Sequence, residues 1–117
     1  MENRETNLLA MRTQLLNARV SGNMSSDEQF QNKTIRPIVK LQGDLLIEVF
    51  KNYIRKRKNT FYGLSLEKRF DFIENAIQKD MKFRNSLKGM IIGQFTVEEY
   101  EMYTKNSSAL NKRMMGI

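Results

Sequence analysis

Carboxylates, lysines, arginines, tyrosines and hydroxyls carry whatever chemistry this chain has, because it contains neither cysteine nor histidine. Their absence removes zinc fingers, thiolate nucleophiles, catalytic triads and the usual haem ligands, and no disulfide can form. Among the carboxylates, Glu67, Asp71 and Glu74, with Gln78, recur at helical spacing and form one acidic strip. Carboxylates three and four apart can hold a divalent cation or act as an acid and base pair. No loop, glycine turn or second helix supplies further ligands at a known spacing, so the strip reads as a solvated face. Glu98, Glu99 and Glu101 are the first carboxylates to substitute if the chain proves to be an enzyme. No catalytic, metal-ligating or cofactor-binding residue is assigned.

The basic residues are more informative. The chain carries a net charge of +7, yet residues 34–60 alone hold seven basic and two acidic side chains, while residues 1–33 and 96–117 each sum to zero. The positive field peaks at Arg55, Lys56, Arg57 and Lys58. Cations at a helix C-terminus are each stabilised by the macrodipole by roughly 0.3 to 1 kcal/mol. Four in one turn also repel one another and exceed what capping requires, so the cluster is a candidate contact for phosphate or an acidic partner. Tyr53, Phe61 and Tyr62 interleave with it in KNYIRKRKNTFY, a composition that can hold single-stranded nucleic acid by stacking. Tyr53, however, belongs to the apolar arc of its helix, and Phe61 and Tyr62 can equally plug the helix turn.

A second candidate contact contains Lys112 and Arg113. The segment TVEEYEMYTKNSSALNKR, residues 96–113, has the outline of a helix-turn-helix whose second helix would enter the major groove. Glu101 stands where that motif keeps a small alanine, Lys105 and Asn106 replace its turn residues, and Glu98 and Glu99 would face phosphates unfavourably. The other reading is a pair of ordinary bundle helices.

Helices must position all of these groups. The run IVKLQGDLLIEVFKNYI, from Ile38 to Ile54, has apolar residues over an arc of roughly 220° at 100° per residue, about twice what a one-sided surface helix needs. This central helix, about residues 35–58, is expected to be covered on more than one side. Leu45, Val49 and Leu87 are its candidate core contacts, and Gly43 suggests close approach of another backbone. Gln42 then needs a hydrogen-bond partner or a place at the rim. Residues 1–20 have a short amphipathic pattern, and SGNMSS, residues 21–26, reads as a link, so residues 1–25 are expected to be a flexible or loosely docked arm.

Further along, Ser26 with Gln29 suggests a capping box, and Thr34 a second cap that places Pro37 in the first turn of the central helix. Ser65 caps a helix with a Leu66, Phe70, Ile73 and Ile77 stripe. Phe83, Leu87, Met90 and Ile91 lie far round from that stripe, so a break is expected at residues 79–82 with Asp80 as cap. Gly93 suits a left-handed helix end. Thr96 and Glu99 form the strongest capping box, with Phe95 placed to staple on Tyr100. Met114 and Met115 close the last helix, which either folds back or meets a partner.

The stretch FRNSLKGMIIGQFTVEEYEMYTKNSSALNKRMM, residues 83–115, resembles that of short helical bacterial proteins without an assigned role, some of whose relatives carry a glyoxalase label. The metal-dependent lactoylglutathione enzyme needs histidine ligands and paired βαβββ units, and this sequence departs from both. No active-site residue is therefore carried over, and no cofactor is implied.

One proline, no tryptophan and few alternating β-branched runs favour an all-α domain of four to five helices packed around the central one, spanning residues 26–117. No run of 18 apolar residues and no signal-peptide core occur, so a cytoplasmic protein without a membrane span is expected. The function expected is non-catalytic interaction, through a protein partner or homo-oligomer. The alternative is nucleic-acid binding through the basic end of the central helix or the unit at 96–113.

Overall fold

Polar side-chain caps set four of the described helix starts. A computed structural model describes residues 2–13 and 25–116, and among them every regular element is helical. The fold is all-α. Helix α1 covers Glu2–Thr13 and α2 covers Ser26–Phe30, followed by a π-helical turn, Gln31–Ile35. Helices α3, Arg36–Leu41, and α4, Gly43–Lys56, lead to a 3-10 turn, Thr60–Gly63. Then come α5, Leu66–Gln78; α6, Met81–Ile92; α7, Val97–Thr104; and α8, Ser107–Met115. Ser65, Asp80 and Thr96 each accept a backbone N–H from the first turn that follows, as their residue types predict. The α2 cap is Ser25, one residue before the expected Ser26, and its hydroxyl accepts from the Glu28 N–H at 3.2 Å. No described helix is long and apolar enough to cross a membrane.

The expected single helix over residues 35–58 is divided. Pro37 has no N–H to return to the preceding turn, and the backbone ahead of it widens, with the Arg36 N–H reaching the Gln31 carbonyl. Thr34 therefore caps nothing and sits inside this turn, buried. A second break falls at Gln42, where ψ is 2°, before a glycine that holds a helix poorly. The break is shallow, because Leu46 still donates to the Gln42 carbonyl at 2.8 Å. A Cβ at Gly43 would meet nothing within 4 Å, so this glycine does not serve close helix approach. The Gln42 amide does find its partner, donating to the Met90 carbonyl at 3.3 Å.

The core lies to one side of α4 instead of around it. Ile35 and Ile38 are fully buried, packed with Phe30, Leu87, Ile91, Phe95, Tyr103, Leu110, Met114 and Met115. Of the wide apolar arc on α4, only Ile54 is fully buried; Val49 is half-buried, and Leu45 is 52% exposed. Leu45 is therefore not a core residue. Phe95 meets Phe30 and Tyr103 edge-on, at 5.6 and 5.8 Å between ring centres, and Tyr100, its expected staple partner, faces outward. Gly93 ends α6 with φ of −60°, in the right-handed region. Met114 and Met115 fold back into the core.

Helix α1 docks on the start of α7. Arg12, only 5% exposed, forks its guanidinium onto Glu99 at 2.7 and 2.8 Å, and Thr34 donates to the same carboxylate at 3.3 Å. Glu99 also accepts the Thr96 N–H at 2.8 Å, so the capping box is the point where three elements join. Arg4 adds a bond to the Gly93 carbonyl, and Glu5 accepts the Val97 N–H. The expected link at residues 21–26 falls mostly outside the described residues.

Candidate functional site

The six basic candidates are not one cluster. Arg55 and Lys56 occupy the last turn of α4, and Lys58 and Asn59, both with φ of 59°, reverse the chain after it. Arg57 turns inward. Its guanidinium lies 3.4 Å over the Tyr53 ring and donates to Asp80 at 2.8 Å, while the Tyr53 hydroxyl donates to the same oxygen at 2.9 Å. Asp80 also caps α6 through the Phe83 N–H. These hydrogen bonds, Tyr53's first, hold the Asp80 carboxyl below the usual range against the opposing pull of partial desolvation. Burial, then Asp80, pushes the Tyr53 hydroxyl up. Arg55, Lys56 and Lys58 remain exposed, with no side-chain ion pair among the described residues. On α8, Lys112 is exposed, and Arg113 is half-buried and donates to Gln31 at 2.9 Å.

Beside this turn the fold leaves an apolar groove of about 480 Å³. Ile47, Phe50, Lys51 and Ile54 of α4 form one wall, and Ile73 and Ile77 of α5 form the other. Phe83, Leu87 and Ile91 of α6 make the floor, with Phe61 and Tyr62 at one part of the rim and Met114 and Met115 at another. The walls are held by ring packing. Phe50 meets Phe61 at 5.7 Å and Phe72 at 6.2 Å, and Tyr53 lies 4.2 Å from Phe83. Such pairs each contribute about 0.5 to 1.5 kcal/mol beyond their burial. The volume falls within the range of ligand and anchor pockets, roughly 300 to 1,000 Å³.

The α5 stripe explains why the groove stays open. Its first half does not reach the core: Leu66 is 71% and Phe70 63% exposed, while Ile73 and Ile77 line the groove and Phe72 and Ala76 face the body. Glu67, Asp71 and Glu74 are exposed, and Gln78 donates to the Met115 carbonyl at 3.2 Å. No group of three or more metal-ligating side chains occurs among the described residues. In the segment 96–113, Glu99 is committed to Arg12 and Tyr103 donates to Asn111 at 2.6 Å.

Sequence reasoning missed this groove, because its walls come from α4 and α5 and its floor from α6. The available signal was the excess apolar width of α4, which exceeds what its neighbours cover. Comparison with family models, with curated proteins and with solved structures finds no match for this chain.

Proposed function

We propose that this protein is a non-catalytic interaction module that receives an apolar face of another polypeptide in the groove between α4 and α5. The observation that supports this reading is that exposed Ile47 and Tyr62 line the groove, while exposed Leu66 and Phe70 share the face of α5 that carries its lining residues Ile73 and Ile77. A small ligand would be served by the groove alone. A ridge of large apolar side chains leading out of it suits a helix laid across the surface, with anchors at i, i+4 and i+7. Exposed contiguous apolar surface of this kind is uncommon on a monomer without a partner.

Position-specific photo-cross-linking in living cells tests the reading. With Ile47 replaced by a photo-reactive amino acid, protein adducts should form; with Leu45 so replaced, about 160° round the same helix, they should not. Equal yields from the two positions, or no adduct from position 47, would overturn it. The alternative, nucleic-acid binding, keeps the support of exposed Arg55, Lys56 and Lys58 but loses Arg57 to Asp80.

A further inference from the structure

We propose that the polypeptide received by this groove is a second copy of the same chain, a step that rests on the groove being a protein-docking site. The argument begins with the charge on its two walls. Around α4, Lys51 and Arg55 lie on the outward side of Ile47 and Ile54, away from the core-facing Leu46 and Tyr53. Around α5, Glu67 and Glu74 lie on the outward side of Leu66, Phe70 and Ile77, away from Phe72 and Ala76. One lip is therefore basic over the second half of α4, and the other is acidic. Asp44 and Glu48 occupy the α4 lip only in its first turns, and the Glu48 bond to Lys51, at 3.2 Å between exposed side chains, is easily exchanged.

An occupant suited to this groove is an amphipathic helix with large apolar anchors beside an acidic edge. Helix α5 is such a helix. Leu66 and Phe70 stand out from it as unburied anchors, and Glu67 and Glu74 flank them. A two-fold axis over the groove places Leu66 and Phe70 of each copy in the other's apolar surface. It also sets each acidic α5 lip against the partner's basic α4 lip. That arrangement is self-complementary, as an isologous contact must be, and it closes at two copies. It also covers the apolar residues that a lone chain leaves in water.

Sedimentation equilibrium from micromolar to about millimolar protein provides the test. The native chain should show a monomer–dimer equilibrium. Lys51→Glu with Arg55→Glu makes both lips acidic, and Glu67→Lys with Glu74→Lys makes both basic; each pair should weaken self-association by more than about tenfold. Mixing the two variants should restore it, because every lip contact in the mixed pair is again between opposite charges. All four side chains are exposed, and circular dichroism checks that the helices persist. Should a charge reversal unfold the chain, Phe70→Gln, at a 63% exposed position, should weaken association in its place. A native chain that stays monomeric, or a dimer that neither reversal nor Phe70→Gln weakens, overturns the proposal. Adducts from position 47 that contain only a different protein also overturn it while leaving the interaction reading intact.

Discussion

Asp80 does more than its sequence position announces. Its carboxylate caps α6 and also accepts from Tyr53 and Arg57, so it joins the end of α4 to the start of α6. Because these bonds favour the charged form, its pKa lies below the unfolded value. The stability it contributes is present above the unfolded carboxylate pKa and is lost as pH falls through the folded one. Tyr53 has the opposite sign: its pKa is raised by burial and by Asp80, so its contribution is present below its unfolded pKa and fades as pH rises through the folded one. Thermal melts across pH should show the native chain losing stability below about pH 4, and Asp80→Asn should be less stable at neutral pH with a flatter acid limb. An unchanged acid limb in Asp80→Asn would remove this carboxylate from its linking role. The cap was legible from the sequence; the Tyr53 and Arg57 bonds were not, since their partners lie 27 and 23 residues away.

Among the elements, α4 and α6 invite opposite expectations about leucine. Leu87 of α6 is buried at the meeting of core and groove floor, so Leu87→Ala should cost about 2 to 5 kcal/mol through lost burial and a residual cavity. Leu45 of α4 lies 52% exposed, and Leu45→Ala should stay within about 0.5 kcal/mol. Chemical denaturation of the two variants separates these values cleanly, and similar losses for both would place Leu45 under cover. Periodicity identified the helices because it is a property of one segment. It overstated the burial of α4, because an apolar arc shows which residues would gain from cover and not whether a neighbour supplies it. The same limit applies to α5, whose stripe was legible while its exposed half was not.

At the scale of the molecule, the net charge of +7 is concentrated near the end of α4. Arg55, Lys56 and Lys58 project there, while Arg57, also exposed, is bonded to Asp80. If this end binds phosphates, affinity for labelled oligonucleotides should fall with salt, with a slope of up to about 0.9 per duplex phosphate contacted. Lys56→Gln with Lys58→Gln should reduce affinity and slope together, whereas Arg57→Gln would instead loosen the link to Asp80. Direct titration at physiological ionic strength decides the matter. Binding weaker than about 10⁻⁴ M, or indifferent to the two lysines, leaves the cluster as a helix terminus.

By itself the sequence determined the helical class, an end of the central helix near residue 58 (the structure ends α4 at Lys56), breaks at residues 79–82 and at Gly93, the caps at Ser65, Asp80 and Thr96, and the folding back or exposure of Met114 and Met115 as the two choices open to the last helix. These follow from the preferences of residues within a turn or two of one another, where side chain and backbone compete locally for the same hydrogen bonds. Tertiary structure alone decided that the core centres on Ile35 and Ile38, that Arg12 closes on Glu99 from 87 residues away, and that α4 and α5 leave an open groove between them. Those outcomes depend on how much apolar surface each helix finds covered by others, a sum over the whole packed chain that no single segment encodes.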